Sequence, residues 1–169
     1  MIADEVQSGF SRSGNFFAFQ QNNIKPHVIT MAKGMGNGFP IGGILVHPDL
    51  KPKYGMLGTT FGGNHLACSA SLAVLEIIKK DKLQHHAKSM ETYFRAKAEK
   101  IKGIKIKGRG LMLGLAFDFE VGPLRKSLIY EKNIFTGGSS NKNVLRILPP
   151  LTVQKKHFDQ FFEALEDLL

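Results

Sequence analysis

Two short apolar runs, each ending on a charged residue, constrain the fold most. Met1-Ile2-Ala3 leads into Asp4, and Val28-Ile29-Thr30-Met31-Ala32 leads into Lys33. Short β-rich runs of this kind read as strands, and the 29 residues from Asp4 to Lys33 leave room for a connection between neighbours in one sheet. Open α/β sheets bind ligands beyond the carboxyl ends of their strands, so both charged residues stand where chemistry is expected. A lysine there, followed by Gly34-Met35-Gly36-Asn37-Gly38, is the type of amine whose pKa burial lowers and which forms a Schiff base with a carbonyl. A lysine that snorkels to solvent is the other reading the residues allow.

The remaining pattern divides in two. Gly43-Ile44-Leu45-Val46-His47 is a third strand, and residues 64–80 form a helix apolar almost all round, expected to be buried on several sides with Cys68 as packing. A second helix follows, with Leu83, Ala87, Met90, Phe94, Ala98 and Ile101 at helical spacing. After Gly103 the chain alternates in short segments at 104–107, 111–119 and 144–148, which read as a small sheet, with a helix at 123–132. A last helix carries Phe158, Phe161, Phe162, Leu165, Leu168 and Leu169, with Thr152 as its expected N-cap. The expected division is an α/β part at 1–95 and an α+β part at 96–169. A domain rarely opens on its own buried strand, so the chain is expected to continue upstream of Met1.

Charge is concentrated rather than spread. Between Lys79 and Arg109 stand eleven Lys and Arg against three acidic residues, which is +8 of the net +9. The apolar stripe leaves these lysines on the opposite face of the helix, which favours a solvated surface; a nucleic-acid-binding module is the alternative. One cysteine among 169 residues excludes a disulfide framework. No apolar run reaches the roughly 18 residues of a membrane span, and no basic stretch precedes an apolar one at the amino terminus. A reduced, cytoplasmic protein without a membrane partner is expected.

Two further places carry candidate chemistry. Gly58-Thr59-Thr60-Phe61-Gly62-Gly63-Asn64 precedes a long helix, where hydroxyls and glycines make either a phosphate or carboxylate cradle or an ordinary helix cap. Arg146 is the single charge in an apolar strand and needs an anion, whether a ligand or a structural salt bridge. The glycines at 34, 36 and 38 lack dinucleotide-binding spacing, the loop at 9–14 lacks a nucleophile elbow, and the six histidines are scattered without metal-ligand spacing.

Taken together, Asp4-Glu5-Val6-Gln7-Ser8-Gly9-Phe10-Ser11-Arg12-Ser13-Gly14, Ile29-Thr30-Met31-Ala32-Lys33-Gly34, Gly58 to Asn64, and Arg146 before Pro149-Pro150 resemble the class III pyridoxal-phosphate aminotransferases. The similarity is greatest to those acting on acetylornithine or succinylornithine. His65, Ser11 and Ser13 depart from the common pattern, outside the proposed catalytic set. The resemblance implies fold type I, with this chain as the carboxyl-terminal part of the large α/β domain plus the small α+β domain. It also implies a homodimer with shared active sites, an amino donor and 2-oxoglutarate as small-molecule partners, and pyridoxal 5′-phosphate as cofactor. Lys33 would be the Schiff-base lysine and proton carrier, and Asp4 the partner of the pyridine nitrogen. Glu5, Val6 and Gln7 complete the cofactor-binding motif, with Gln7 on the phenolic oxygen and Val6 against the ring. Thr60 would reach the phosphate of the neighbouring subunit's cofactor, Thr59 would face the substrate, and Arg146 would hold its carboxylate. The family's first phosphate-binding turn, ring-stacking aromatic and second acidic motif precede the point where this chain begins, so a fragment is expected. An inactive fragment, or a relative acting on ornithine or 4-aminobutyrate, is the alternative that the resemblance leaves.

Overall fold

The computed structural model describes residues 1–56 and 58–169, which form two compact units, Met1–Gln84 and His85–Leu169. In the first, β1 (Ile2–Asp4) pairs in parallel with β2 (Val28–Met31), and β2 pairs antiparallel with β3 (Gly43–Val46). A parallel pair needs a long crossover, here residues 5–27 with a single 3-10 turn at Ala18–Asn22. The strands match the three apolar runs of the sequence.

Helix α1 (His65–Lys80) begins where Asn64 Oδ1 accepts from Ala67 N at 3.0 Å. Its burial departs from expectation. Ala67, Ser71 and Ile78 are buried, whereas Leu66 (72% exposed), Leu72 (60%), Leu75 and Ile77 face solvent, and so does Cys68. All-round apolarity shows that a helix can be covered on every side; in this unit α1 packs against the 3-10 turn at Lys33–Met35 and leaves these residues exposed.

Helix α2 (Leu83–Ala98) carries its stripe as the spacing predicts, with Ala87, Met90, Phe94 and Ala98 in the core of the second unit. That packing puts the division between the units at Gln84 and His85, ahead of the 95/96 position expected from the sequence. Strands β4 (Lys105–Arg109), β5 (Met112–Ala116) and β6 (Val144–Ile147) form an antiparallel sheet in that order, and α3 (Gly122–Tyr130) has a proline in its first turn. Gly108, inside β4 one residue before its end, must be glycine: its φ is +85° and its β-carbon would stand 2.0 Å from Met112 O.

Helix α4 (Lys155–Glu166) closes the core with Phe158, Phe161, Phe162 and Leu165. Phe94 lies among three of these rings, with centroids 5.0 to 6.2 Å away. The helix starts later than Thr152: Gln154 is the N-cap, its backbone N donating to His157 Nδ1 at 3.1 Å. Pro150 O accepts from Val153 N in a turn that occupies the residues around Thr152, and Leu169 is exposed. No helix among the described residues is long and apolar enough to cross a membrane.

Candidate active site

The register of the parallel pair sets Asp4 against Thr30. Thr30 Oγ1 and Val6 N both donate to Asp4 Oδ1, at 3.2 and 3.1 Å. Asp4 Oδ2 has no partner among the described residues, so an exposed carboxylate oxygen stands ready at the carboxyl end of β1. Lys33 opens the 3-10 turn Lys33–Met35 just beyond β2, with φ at +41°. A side chain in the left-handed region is strained, and such strain gathers at functional positions. The Lys33 side chain is exposed and makes no ion pair among the described residues, and α1 packs against its turn. Val6 and Gln7, which follow Asp4 and Glu5 in sequence, are half-buried.

Glu5 does something different from its neighbours. It is only 3% exposed, and its carboxylate accepts from Ser8 Oγ at 2.5 Å, Ala18 N at 3.0 Å and Phe19 N at 2.8 Å. The last two are the leading amides of the Ala18–Asn22 turn, donors that otherwise lack partners. Gly9 is required alongside, because a β-carbon there would approach Glu5 O to 2.8 Å. Phe10, Phe16 and Phe17 pack ring on ring inside this loop, and a β-carbon on Gly34 would touch Phe10 Cβ at 3.4 Å. Glu5 thereby ties the loop after β1, and the loop rests on the residue that follows Lys33. Within it, burial pushes the Arg12 guanidinium pKa down.

Before α1, Thr59 Oγ1 accepts from Gly62 N at 3.1 Å. A β-carbon at Gly62 would fall 2.1 Å from Thr59 Cγ2, so another residue there would displace the Thr59 side chain. The helix cap itself is Asn64, which also donates from Nδ2 to Phe61 O. Thr60 is exposed, and its hydroxyl has no partner among the described residues.

In the second unit, Arg146 sits on β6 opposite Gly114 and makes an isolated bridge to Gly137 on its other side. It forms no structural salt bridge among the described residues. It lines a cavity of about 550 Å³ together with Thr136, Phe135, Pro149 and His157. Thr136 Oγ1 is buried there without a hydrogen-bond partner among the described residues, and a buried hydroxyl of that kind takes a polar partner, whether water or ligand. The sequence singled out Arg146 but not Thr136 or Gly137; their only signal was a Thr-Gly-Gly run ahead of the strand. No group of three His, Cys, Asp or Glu among the described residues is placed to hold a metal.

The aminotransferase class-III family profile matches residues 1–169. Acetylornithine aminotransferase from Aquifex aeolicus is 42% identical over 172 residues, which cover 100% of this chain and 44% of that protein. A phospholyase from Arthrobacter, solved with phosphoethanolamine, superposes with a TM-score of 0.89 at 33% identity, over 99% of this chain and 44% of that one. Ornithine aminotransferase from Toxoplasma gondii gives 0.86 at 28% identity, over 99% and 42%. The chain thus spans less than half the length of these relatives, and on sequence and fold together it belongs to the class-III aminotransferase family.

Proposed function

We propose that this chain is the part of an aminotransferase that moves an amino group from N-acetylornithine, or its succinyl analogue, to 2-oxoglutarate in arginine biosynthesis. The observation that carries the reading is the placement of Asp4 and Lys33 at the carboxyl ends of adjacent parallel strands. Similarity to acetylornithine aminotransferase supports the donor.

Class-III aminotransferases depend on pyridoxal 5′-phosphate, which when bound supplies an electron sink for the charge that develops at the substrate α-carbon. The residues present fit such a group. Asp4 Oδ2 is an open acceptor for a ring N–H, while Oδ1 is fixed by Thr30 and Val6. A carboxylate held in this way keeps a nearby cation protonated. Lys33 Nζ is unpaired among the described residues and would hold the cofactor's aldehyde carbon, then carry a proton to and from the substrate. Gln7 would donate to the phenolic oxygen, Val6 would cover the ring, and Glu5 would serve the cofactor through the loop it ties. Thr60 would bind the phosphate in the partner subunit of a cytoplasmic homodimer, with Thr59 toward the substrate. Arg146 would take the substrate carboxylate in a two-point pair.

Mixing the purified chain with pyridoxal phosphate is expected to give a visible absorption band that Lys33→Ala removes without loss of helical circular dichroism. No band in the wild type, or an equal band in Lys33→Ala, would overturn the assignment of Lys33. Similarity to an ornithine aminotransferase favours a second reading, ornithine as donor. A preference for ornithine over acetylornithine of about tenfold or more in kcat/KM, roughly 1.4 kcal/mol, would select it.

A further inference from the structure

Arg146 and Gly137 are joined by both backbone hydrogen bonds of their bridge, Gly137 N to Arg146 O at 2.8 Å and Arg146 N to Gly137 O at 3.0 Å. A β-carbon built on Gly137 would stand 2.7 Å from Arg146 Nε, 3.3 Å from Nη2 and 3.3 Å from Cβ. The guanidinium therefore lies across the space that any other residue at 137 would fill. The backbone at 137 is outside the left-handed region, so the chain does not need glycine there for its own conformation. The side chain of Arg146 does. The adjacent Gly138 is a contrast, since its β-carbon would meet only Arg125 Nη1 at an ordinary 3.6 Å. Gly114, opposite Arg146 on β5, is a contrast of another kind: a β-carbon there would press on Val144 Cγ1 at 2.9 Å and on no part of the arginine.

We propose that Gly137 is a positioning residue: it seats the Arg146 guanidinium against its own α-carbon, on the wall of the cavity that holds the buried Thr136 hydroxyl, for two-point binding of a planar carboxylate. This rests on the reading of Arg146 as the carboxylate holder. A guanidinium gives a bidentate pair only when its fork is fixed in the right plane. A seat that holds the group in one plane leaves an N–H edge for the ligand, and it limits the rotamers that would otherwise be lost on binding.

The test titrates 2-oxoglutarate into the 169-residue chain with isotope-labelled arginine, following the Arg146 Nε–H resonance by NMR. The wild type and Gly138→Ala are expected to bind alike, and Gly137→Ala to bind about tenfold more weakly or worse. Arg146→Ala is expected to abolish binding. Binding by Gly137→Ala within twofold of wild type, with Arg146→Ala inactive, would overturn the seat and leave the reading of Arg146 standing. Unchanged binding by Arg146→Ala, or no shift at Arg146 in the wild type, would overturn both. A second measurement needs no ligand. Gly137→Ala is expected to lower Tm when Arg146 is present and to lower it less in the Arg146→Ala background, where only the 3.3 Å approach to Cβ remains; equal losses in the two backgrounds would remove the overlap on which the seat depends.

Discussion

The two units of the chain bury their apolar residues to different degrees. In the second, α2, α3, α4 and the antiparallel sheet enclose one cluster in which Phe94, Leu111, Leu115, Leu128, Leu145 and Leu165 are fully buried. In the first, β3 shows Ile44, Leu45 and Val46 to solvent, and α1 shows Leu66, Leu72 and Ile77. The difference teaches that the residues proposed to hold the cofactor sit on the less covered unit, where order comes from polar ties and strained turns. The unit carrying Arg146 is held by its core.

Substitutions can break or sharpen that contrast. The largest effect is expected from Phe94→Ala, which empties the centre of the ring cluster and should cost about 3–5 kcal/mol in denaturant unfolding of the second unit. In the first unit the costliest change is expected at a polar group. Glu5→Ala leaves the Ala18 and Phe19 amides without their acceptor, at about 1–3 kcal/mol, seen as faster hydrogen exchange at both. Glu5→Gln, which keeps one acceptor oxygen, should lose less.

A smaller effect is expected at Asp159, where Tyr93 Oη and Lys97 Nζ both reach Oδ1, at 2.5 and 2.6 Å. The hydrogen bonds from Lys97 and Tyr93 hold the Asp159 pKa below its usual 3.8, and the bond to Asp159 raises Lys97 above its usual 10.5 and Tyr93 above 10.0. A depressed carboxylate stabilises above its unfolded pKa and loses that contribution as pH falls through the folded value. The raised Lys97 and Tyr93 lose theirs as pH climbs through their folded values. The Tm difference between wild type and Asp159→Asn should therefore be greatest from about pH 5 to 9 and shrink toward both extremes. Its size should be small, because exposed pairs contribute little. The smallest effect is expected from Leu72→Ala, within about 0.5 kcal/mol. A cost there approaching that of Phe94→Ala would erase the contrast between the units.

Much of this was legible in the sequence where the signal is local. Strand runs ending at Asp4 and near Lys33, and the stripe from Leu83 to Ala98, follow from side-chain periods of two and 3.6. What depends on distant segments was not legible. The periodicity of α1 shows that Leu66 and Leu72 are apolar but carries no information on what lies beside them. Glu5 reads like its neighbours until the amides of Ala18 and Phe19 come back to it across thirteen and fourteen residues. Gly137 looks like any loop glycine until Arg146 crosses it. Thr152 is a good capping residue by composition, but the turn closed by Pro150 and Val153 moves the helix start to Gln154. Tertiary geometry overrides local propensity at each of these places.

The chain's one thiol, Cys68, stands on the exposed side of α1. It is therefore a built-in reporter that needs no engineering. Alkylation by a maleimide can be timed at that single position, and whatever comes to lie against the helix would slow the reaction in proportion to the fraction of time it stays there. The occupancy of the less covered unit becomes a rate that a mass spectrometer can follow.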